Sequence, residues 1–332
     1  MSSGKLNNNI GRERTASPKA SDYKIGSRIV AMVHRKGGVG KTTTTINLAA
    51  ALADAGYKVL VADNDPIGNA TSAMGVVSFE ELNEPDAYPN LGTLMLGLTP
   101  FNTVVRRVPP GFIFPEAEAG SDEGGVIDVL PSHHDSLESV DVQLNKDTLE
   151  SKLRLRRALS LAGVGDFYHF ILIDCSPSLG ALVKNAMAAA DFWLLPMLPE
   201  RFSMETTNEM FDLADFIQST VNPDLSLMGV LINQAKNTNV SKAAIVELRE
   251  AYGDSLFNTQ IRDLAVLRQS QFEGRSALTY KGSREAANDY RRLMFEVIER
   301  ADAPLTPRAQ ELQASLNSEM SPAPKRKTAS KK

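Results

Sequence analysis

Short apolar runs recur along the chain, each closed by polar or turn-forming residues. Ile29-Val30-Ala31-Met32-Val33 is the first. Lys58-Val59-Leu60-Val61-Ala62, Val126 to Ser132, Phe170-Ile171-Leu172-Ile173, Phe192 to Leu198, Leu227 to Ile232 and Leu256 to Ile261 follow. Near-continuous apolar runs, without strict alternation, are the mark of strands covered on both faces. Between them lie helix-like segments: Ile46 to Ala55, a basic stretch over 147–161 with Leu149, Leu153, Leu159 and Ala162 at helical spacing, Met204 to Thr220, Ser241 to Tyr252 and Ser283 to Arg300. The charges of the 147–161 stretch read as a solvated face. Strands alternating with helices predict one doubly wound α/β domain, its sheet mostly parallel and its helices on both faces.

The pattern fails in three places. Residues 1–26 are polar and mildly basic, and read as a disordered tail. Residues 77–125 hold Pro85, Pro89, Pro109-Pro110-Gly111, Pro115 and an acidic, glycine-bearing run. Apart from a short helix around Leu91 to Leu98, they read as an irregular insertion in the 27–300 domain. Residues 301–332 carry four prolines and end Lys325-Arg326-Lys327-Thr328-Ala329-Ser330-Lys331-Lys332, a basic tail without an apolar face.

Composition narrows the class. A chain of 332 residues that is 42% hydrophobic and 23% charged, with no run of 18 apolar residues, predicts a cytoplasmic globular protein without a membrane anchor. Cys175 stands alone, so no internal disulfide is possible. The formal net charge of −4 means that any nucleic-acid contact must come from a local basic patch.

The chemistry is concentrated where the first strand meets the first helix, at Val33-His34-Arg35-Lys36-Gly37-Gly38-Val39-Gly40-Lys41-Thr42-Thr43-Thr44-Thr45. Strand, glycine loop and helix together make a phosphate cradle. Backbone N–H groups of Gly37, Gly38, Val39 and Gly40 turn inward, and the helix presents its positive end. Lys41 would reach the β- and γ-phosphates, Thr42 would ligate Mg²⁺ and Thr43 would face the α-phosphate. The standard G-x-x-x-x-G-K-[ST] pattern needs glycine at 35, where this chain has Arg35, and a second lysine, Lys36, lies inside the loop. Two further strands deliver carboxylates to the same end of the sheet: Asp63 and Asp65 in Asp63-Asn64-Asp65-Pro66, and Asp174 after Phe170 to Ile173. His133 and His134 form a pair too isolated to predict a metal site.

With that lysine in place, the loop resembles the deviant Walker A loop of the ParA/MinD family of dimerising ATPases. Val59 to Thr71 resembles the family's switch I, with Ile67 in place of Gln, and Asp174-Cys175-Ser176-Pro177-Ser178-Leu179-Gly180 resembles its switch II. The resemblance implies ATP and Mg²⁺ as ligands and a homodimer formed on ATP. It casts Lys36 as a contact to the partner's nucleotide, Asp65 as the group that positions water, and Asp63 and Asp174 as support for Mg²⁺. It further implies a carboxylate near the nucleotide at Glu200 and an adenine-reading amide at Asn233. The segment from Ile261 to Arg268 resembles the family's DNA-contacting stretch, with Arg262 retained, Ala265 in place of an arginine, and Arg268 a helical turn away. Lys281, Arg284, Arg291 and Arg292 complete a candidate patch for nonspecific DNA. By resemblance the activity is ATP hydrolysis stimulated by a ParB-like partner, for DNA partition by a nucleoid-associated protein. Positioning of a protein cargo, such as a carboxysome or chemotaxis cluster, and an ATP-bound DNA scaffold without turnover are the other two readings.

Overall fold

The computed structural model describes residues 19–77, 81, 88–114, 125–145, 148–200 and 204–320. The seven apolar runs become parallel strands: β1 (Arg28–Met32), β2 (Lys58–Asn64), β4 (Val126–Leu130), β5 (Phe170–Cys175), β6 (Phe192–Met197), β7 (Ser226–Ala235) and β8 (Leu256–Arg262). One further strand, β3 (Arg106–Arg107), pairs antiparallel with β4 at the sheet edge. The order is β3-β4-β2-β5-β1-β6-β7-β8. β1 lies between β5 and β6, so the chain reverses its direction of travel across the sheet there and leaves a crevice at the carboxyl ends of these strands.

Alternate residues of each strand feed opposite cores. Ile29, Ala31, Leu60 and Ile171 pack with the helices on one face, while Val30, Met32, Val59 and Leu172 pack with those on the other. Helix Lys41–Asp54 runs Ala49-Ala50-Ala51 through its middle, which lets helix Arg284–Arg300 approach with Tyr290, Leu293, Met294 and Val297 buried against it. The same helix, Arg284–Arg300, shields the edge of β8. Glu296 accepts from the backbone N–H of Asn258 and of Thr259, at 2.8 and 2.7 Å.

Several sequence expectations change. Residues 19–26 are packed onto the domain: Ala20 N–H donates to Val221 O at 2.7 Å, and the Arg156 guanidinium holds the carbonyls of Ala20, Tyr23 and Ala189. The 147–161 stretch is therefore not one helix with a solvated charged face. It breaks at Leu153 into Leu149–Lys152 and Arg154–Leu161, and Arg156 is buried. Within 77–125, helices Leu91–Met95 and Phe101–Val104 and strand β3 are ordered parts of the fold. Residues 307–320 form a helix (Pro307–Met320), with Thr306 Oγ1 accepting from Ala309 N–H at its start. Residues 1–18, most of 78–87, 115–124 and the basic 321–332 end lie outside the described residues. Among the described residues, no helix is long and apolar enough to cross a membrane.

Candidate functional site

The loop after β1 gets its shape from two glycines in left-handed backbone, Gly38 (φ 76°) and Gly40 (φ 90°). Among the described residues a Cβ at Gly37 or Gly38 would meet nothing within 4 Å, so they leave the outer wall of the cradle open. At Gly40 a Cβ would come within 2.7 Å of Asn233 Nδ2. Asn233 is buried, and its amide donates to Val39 O at 2.9 Å and to Thr44 Oγ1 at 3.0 Å. The residue expected to read a base thus braces the loop from behind. Its Oδ1 has no partner among the described residues.

Lys41 is buried beneath the loop, donating to His34 O at 3.1 Å and Lys36 O at 3.5 Å. Burial lowers its pKa against the opposing pull of Asp174. His34 accepts the Lys36 N–H on Nδ1 at 2.8 Å, and burial, with Lys41 and Lys36 beside it, holds its pKa down to about 4. It is therefore a neutral acceptor inside a cationic loop.

Three carboxylates converge on the crevice. Asp174 is fully buried. Its Oδ2 accepts from Thr42 Oγ1 at 2.6 Å and its Oδ1 from Thr45 Oγ1 at 3.3 Å, and burial followed by the Asp63 charge raises its pKa. Asp63 is raised by burial as well, although its Oδ2 accepts from both Thr71 N–H (2.7 Å) and Thr71 Oγ1 (2.6 Å). That carboxylate ties β2 to helix Asn69–Ala73, a structural contact that the strand-end position did not reveal. Asp65 lines the cleft, with Oδ1 accepting from Ile67 N–H at 3.0 Å.

Buried acids whose pKa values are raised, next to a hydroxyl and a single buried lysine, make a site short of positive charge. Its donors are all hard oxygens, which suits Mg²⁺. No group of three or more His, Cys, Asp or Glu among the described residues is disposed to hold a metal alone. A cation at Thr42 and Asp174 would accordingly complete its shell with phosphate oxygens and water.

The cleft in front of the loop encloses about 710 Å³. Some of its walls were not singled out from sequence. Gln234, in left-handed backbone (φ 54°), donates to Gly38 O at 2.8 Å. Phe272, 94% exposed, flanks the opening together with Ile67, which the sequence marked only as standing in place of Gln and which is 67% exposed. A narrow slot continues inward between Asn233, Gln271 and Tyr290, and Gln271 Nε2 has no partner among the described residues. Gln234 carried one sequence signal, its place beside the assigned Asn233; Gln271 carried none, and Phe272 at the rim was indistinguishable from core.

At the rim, Lys36 Nζ lies 3.2 Å from Glu200 of its own chain, with 54% and 62% of the two side chains exposed. Arg35, in the position of the missing glycine, pairs with Glu209. Arg201, Phe202 and Ser203, part of the family-like stretch, lie outside the described residues. The candidate DNA residues do not form a bare cationic stripe. Arg262 pairs with Asp289 (2.9 Å) and Glu285 (3.3 Å), Arg292 with Asp289 (3.6 Å), and Arg268, which lines the cleft, with Asp263 (3.3 Å). Arg291 turns toward Asp54 of helix Lys41–Asp54 at 2.9 Å. Arg284 and Lys281 are exposed. His133 accounts for itself structurally, edge-on to Tyr88 and 3.2 Å from Ser136 Oγ.

Comparison with known proteins covers most of the chain. A family model described as an AAA domain matches residues 27–227. The chain is 32% identical over 276 residues to the chromosome partitioning protein ParA of Caulobacter vibrioides, covering 82% of this chain and 94% of that protein. It is 31% identical over 271 residues to the sporulation initiation inhibitor protein Soj of Bacillus subtilis, covering 81% and 98%. Among solved structures, the ATP complex of a McdA variant from Cyanothece superposes with a TM-score of 0.66 at 19% identity, covering 85% of this chain and 99% of that one.

Proposed function

The chain belongs to the ParA/MinD superfamily of P-loop ATPases, and from that premise we propose that it dimerises on ATP and Mg²⁺, binds DNA without sequence preference and is released by partner-stimulated hydrolysis. The observation that carries this reading is the convergence of Lys41, Thr42 and Asp65 on one cleft, with Asp174 bonded to Thr42 beneath it and a second lysine, Lys36, exposed at its rim.

In this reading Lys41 and the N–H groups of the 37–40 loop hold the β- and γ-phosphates, with Thr43 at the α-phosphate. Thr42 and Asp174 hold Mg²⁺, which when bound supplies charge neutralisation to the phosphates. Asp65 orients the attacking water, and Asp63 keeps Asp65's turn in place through Thr71. Asn233 fixes the loop, and its Oδ1, buried and without a partner among the described residues, is the acceptor an adenine amino group would need. Lys36 reaches the nucleotide of the second subunit after leaving Glu200. Both side chains of that pair are more than half exposed, so separating them costs little.

DNA contact falls to the polar groove of about 760 Å³ beside β8 that Arg262, Arg284 and Arg292 line, with Lys281 nearby and Arg268 at the cleft rim. Arg291 contributes least, because Asp54 already engages it. A nucleoid location follows from this reading, with a ParB-like protein as activator. The test is steady-state phosphate release beside ATP binding. Asp65→Ala is expected to bind ATP as the wild type does and to lose turnover; wild-type hydrolysis by that variant would remove Asp65 from the chemistry. A wild-type chain that released no phosphate above background, with DNA and any candidate activator present, would leave only a scaffold.

A further inference from the structure

The turn that carries Asp65 is held from outside by a strand neighbour to which the chemistry above assigns no part. Asp65 O accepts from Gly68 N–H at 2.9 Å, closing the turn, and also from Ser132 Oγ at 2.6 Å. Ser132 follows β4, and it reaches the second acid of the same loop too. Its backbone N–H donates to Thr71 Oγ1 at 2.9 Å, and that hydroxyl donates to Asp63 Oδ2. Ser132 Cβ also packs against the turn, 3.6 Å from where a Cβ on Gly68 would stand. One buried serine thus touches both arms of the acidic loop.

Ser132 is itself fixed. The Tyr88 hydroxyl donates to Ser132 O, both residues are buried, and burial raises the Tyr88 pKa to about 12, so the phenol remains a donor. Tyr88 cannot swing away easily: Asn90 Nδ2 donates to its carbonyl at 2.6 Å and His133 meets its ring edge-on at 5.3 Å.

We propose that Ser132, braced by Tyr88, is a positioning residue that sets the direction of the Asp65 carboxylate for turnover. The proposal rests on Asp65 acting on the attacking water. A hydroxyl that fixes the backbone carbonyl of Asp65, and through the backbone the direction of its side chain, need not affect nucleotide affinity, because phosphates are held by the other loop. Its loss lets the Asp65 turn shift by a fraction of an ångström, and misplacements of that order lower rates by about 10- to 100-fold.

The experiment measures kcat for phosphate release, ATP affinity and melting temperature for full-length Ser132→Ala, Tyr88→Phe and Asp65→Ala. Ser132→Ala is expected to lower kcat about tenfold or more and Tyr88→Phe by less, with ATP affinity within about twofold of wild type. Wild-type kcat in Ser132→Ala would overturn the proposal. So would a fall in kcat matched by an equal loss of ATP affinity and a lower melting temperature, which describes a structural role. If Asp65→Ala itself retained wild-type turnover, the underlying reading would fail first and the proposal with it. Loss in Asp65→Ala with none in Ser132→Ala refutes the positioning role alone.

Discussion

By spacing alone Arg291 belongs with Arg284 on one helical face, and by structure it belongs to Asp54. Asp54 is buried, so removing its cation leaves an uncompensated carboxylate. Arg291→Ala is expected to lower stability by about 2 kcal/mol, less than for a fully enclosed pair because the arginine is partly exposed. Lys281→Ala should leave the melting temperature unchanged and reduce the salt slope of DNA binding by about 1. Thermal melts beside a salt series separate the two residues; equal stability loss in both would contradict the assignment. His34 gives a pH prediction. Its folded pKa of about 4 lies below the ordinary 6.5, so the unfolded chain takes up the proton first as pH falls. The stability it contributes is complete above pH 6.5 and is lost as pH drops through about 4. The raised pKa values of Asp63 and Asp174 act in the opposite direction, so the difference between wild type and His34→Gln isolates the histidine. That difference in melting temperature should vary across this window and flatten above it.

Elements were legible where their signal was local. The apolar runs marked seven strands because a strand covered on both faces needs apolar residues throughout, and β1, β2, β4, β5, β6, β7 and β8 all fall on them. Strand β3 has two residues and no run to mark it. The break at Leu153 was hidden for a different reason: Arg156 reads as solvated until its acceptors, supplied by residues 20, 23 and 189, are known. Helix Pro307–Met320 did carry a local sign, Thr306 followed by Pro307, an N-cap before a first-turn proline, obscured by the surrounding prolines. Within the candidate site, the clustering of Lys41, Thr42 and Asp174 was legible from motif and strand register, whereas the loop brace at Asn233 depends on a contact across 194 residues. Two element-scale outcomes follow. Arg156→Met should release residues 20–25, read as faster amide exchange there while β1 and β5 stay protected. Gly40→Ala forces a side chain into left-handed backbone and onto Asn233 Nδ2, and should abolish ATP binding at a stability cost of about 1–2 kcal/mol; retained affinity would mean the loop reshapes without that glycine.

For the whole molecule, charge and topology act together. A net charge of −4 disfavours DNA, and the candidate arginines are largely paired with Asp289, Glu285 and Asp263. A single copy thus offers only a weak cationic surface, and two copies brought together would double it. Lys36 occupies a matching position: in one chain it faces Glu200, and in the proposed cycle it would turn to a second chain only when ATP is present. Nucleotide and DNA affinity are then two readouts of one assembly step. The most direct test is binding of the full chain to random-sequence DNA with no nucleotide, with ADP–Mg²⁺ and with ATP–Mg²⁺, each across a salt series. Binding that appears only with ATP–Mg²⁺, weakens steeply as salt rises and is lost in a Lys36→Ala variant is the predicted result. Equal binding in all three nucleotide states, or none in any, would contradict an ATP-gated DNA-binding cycle.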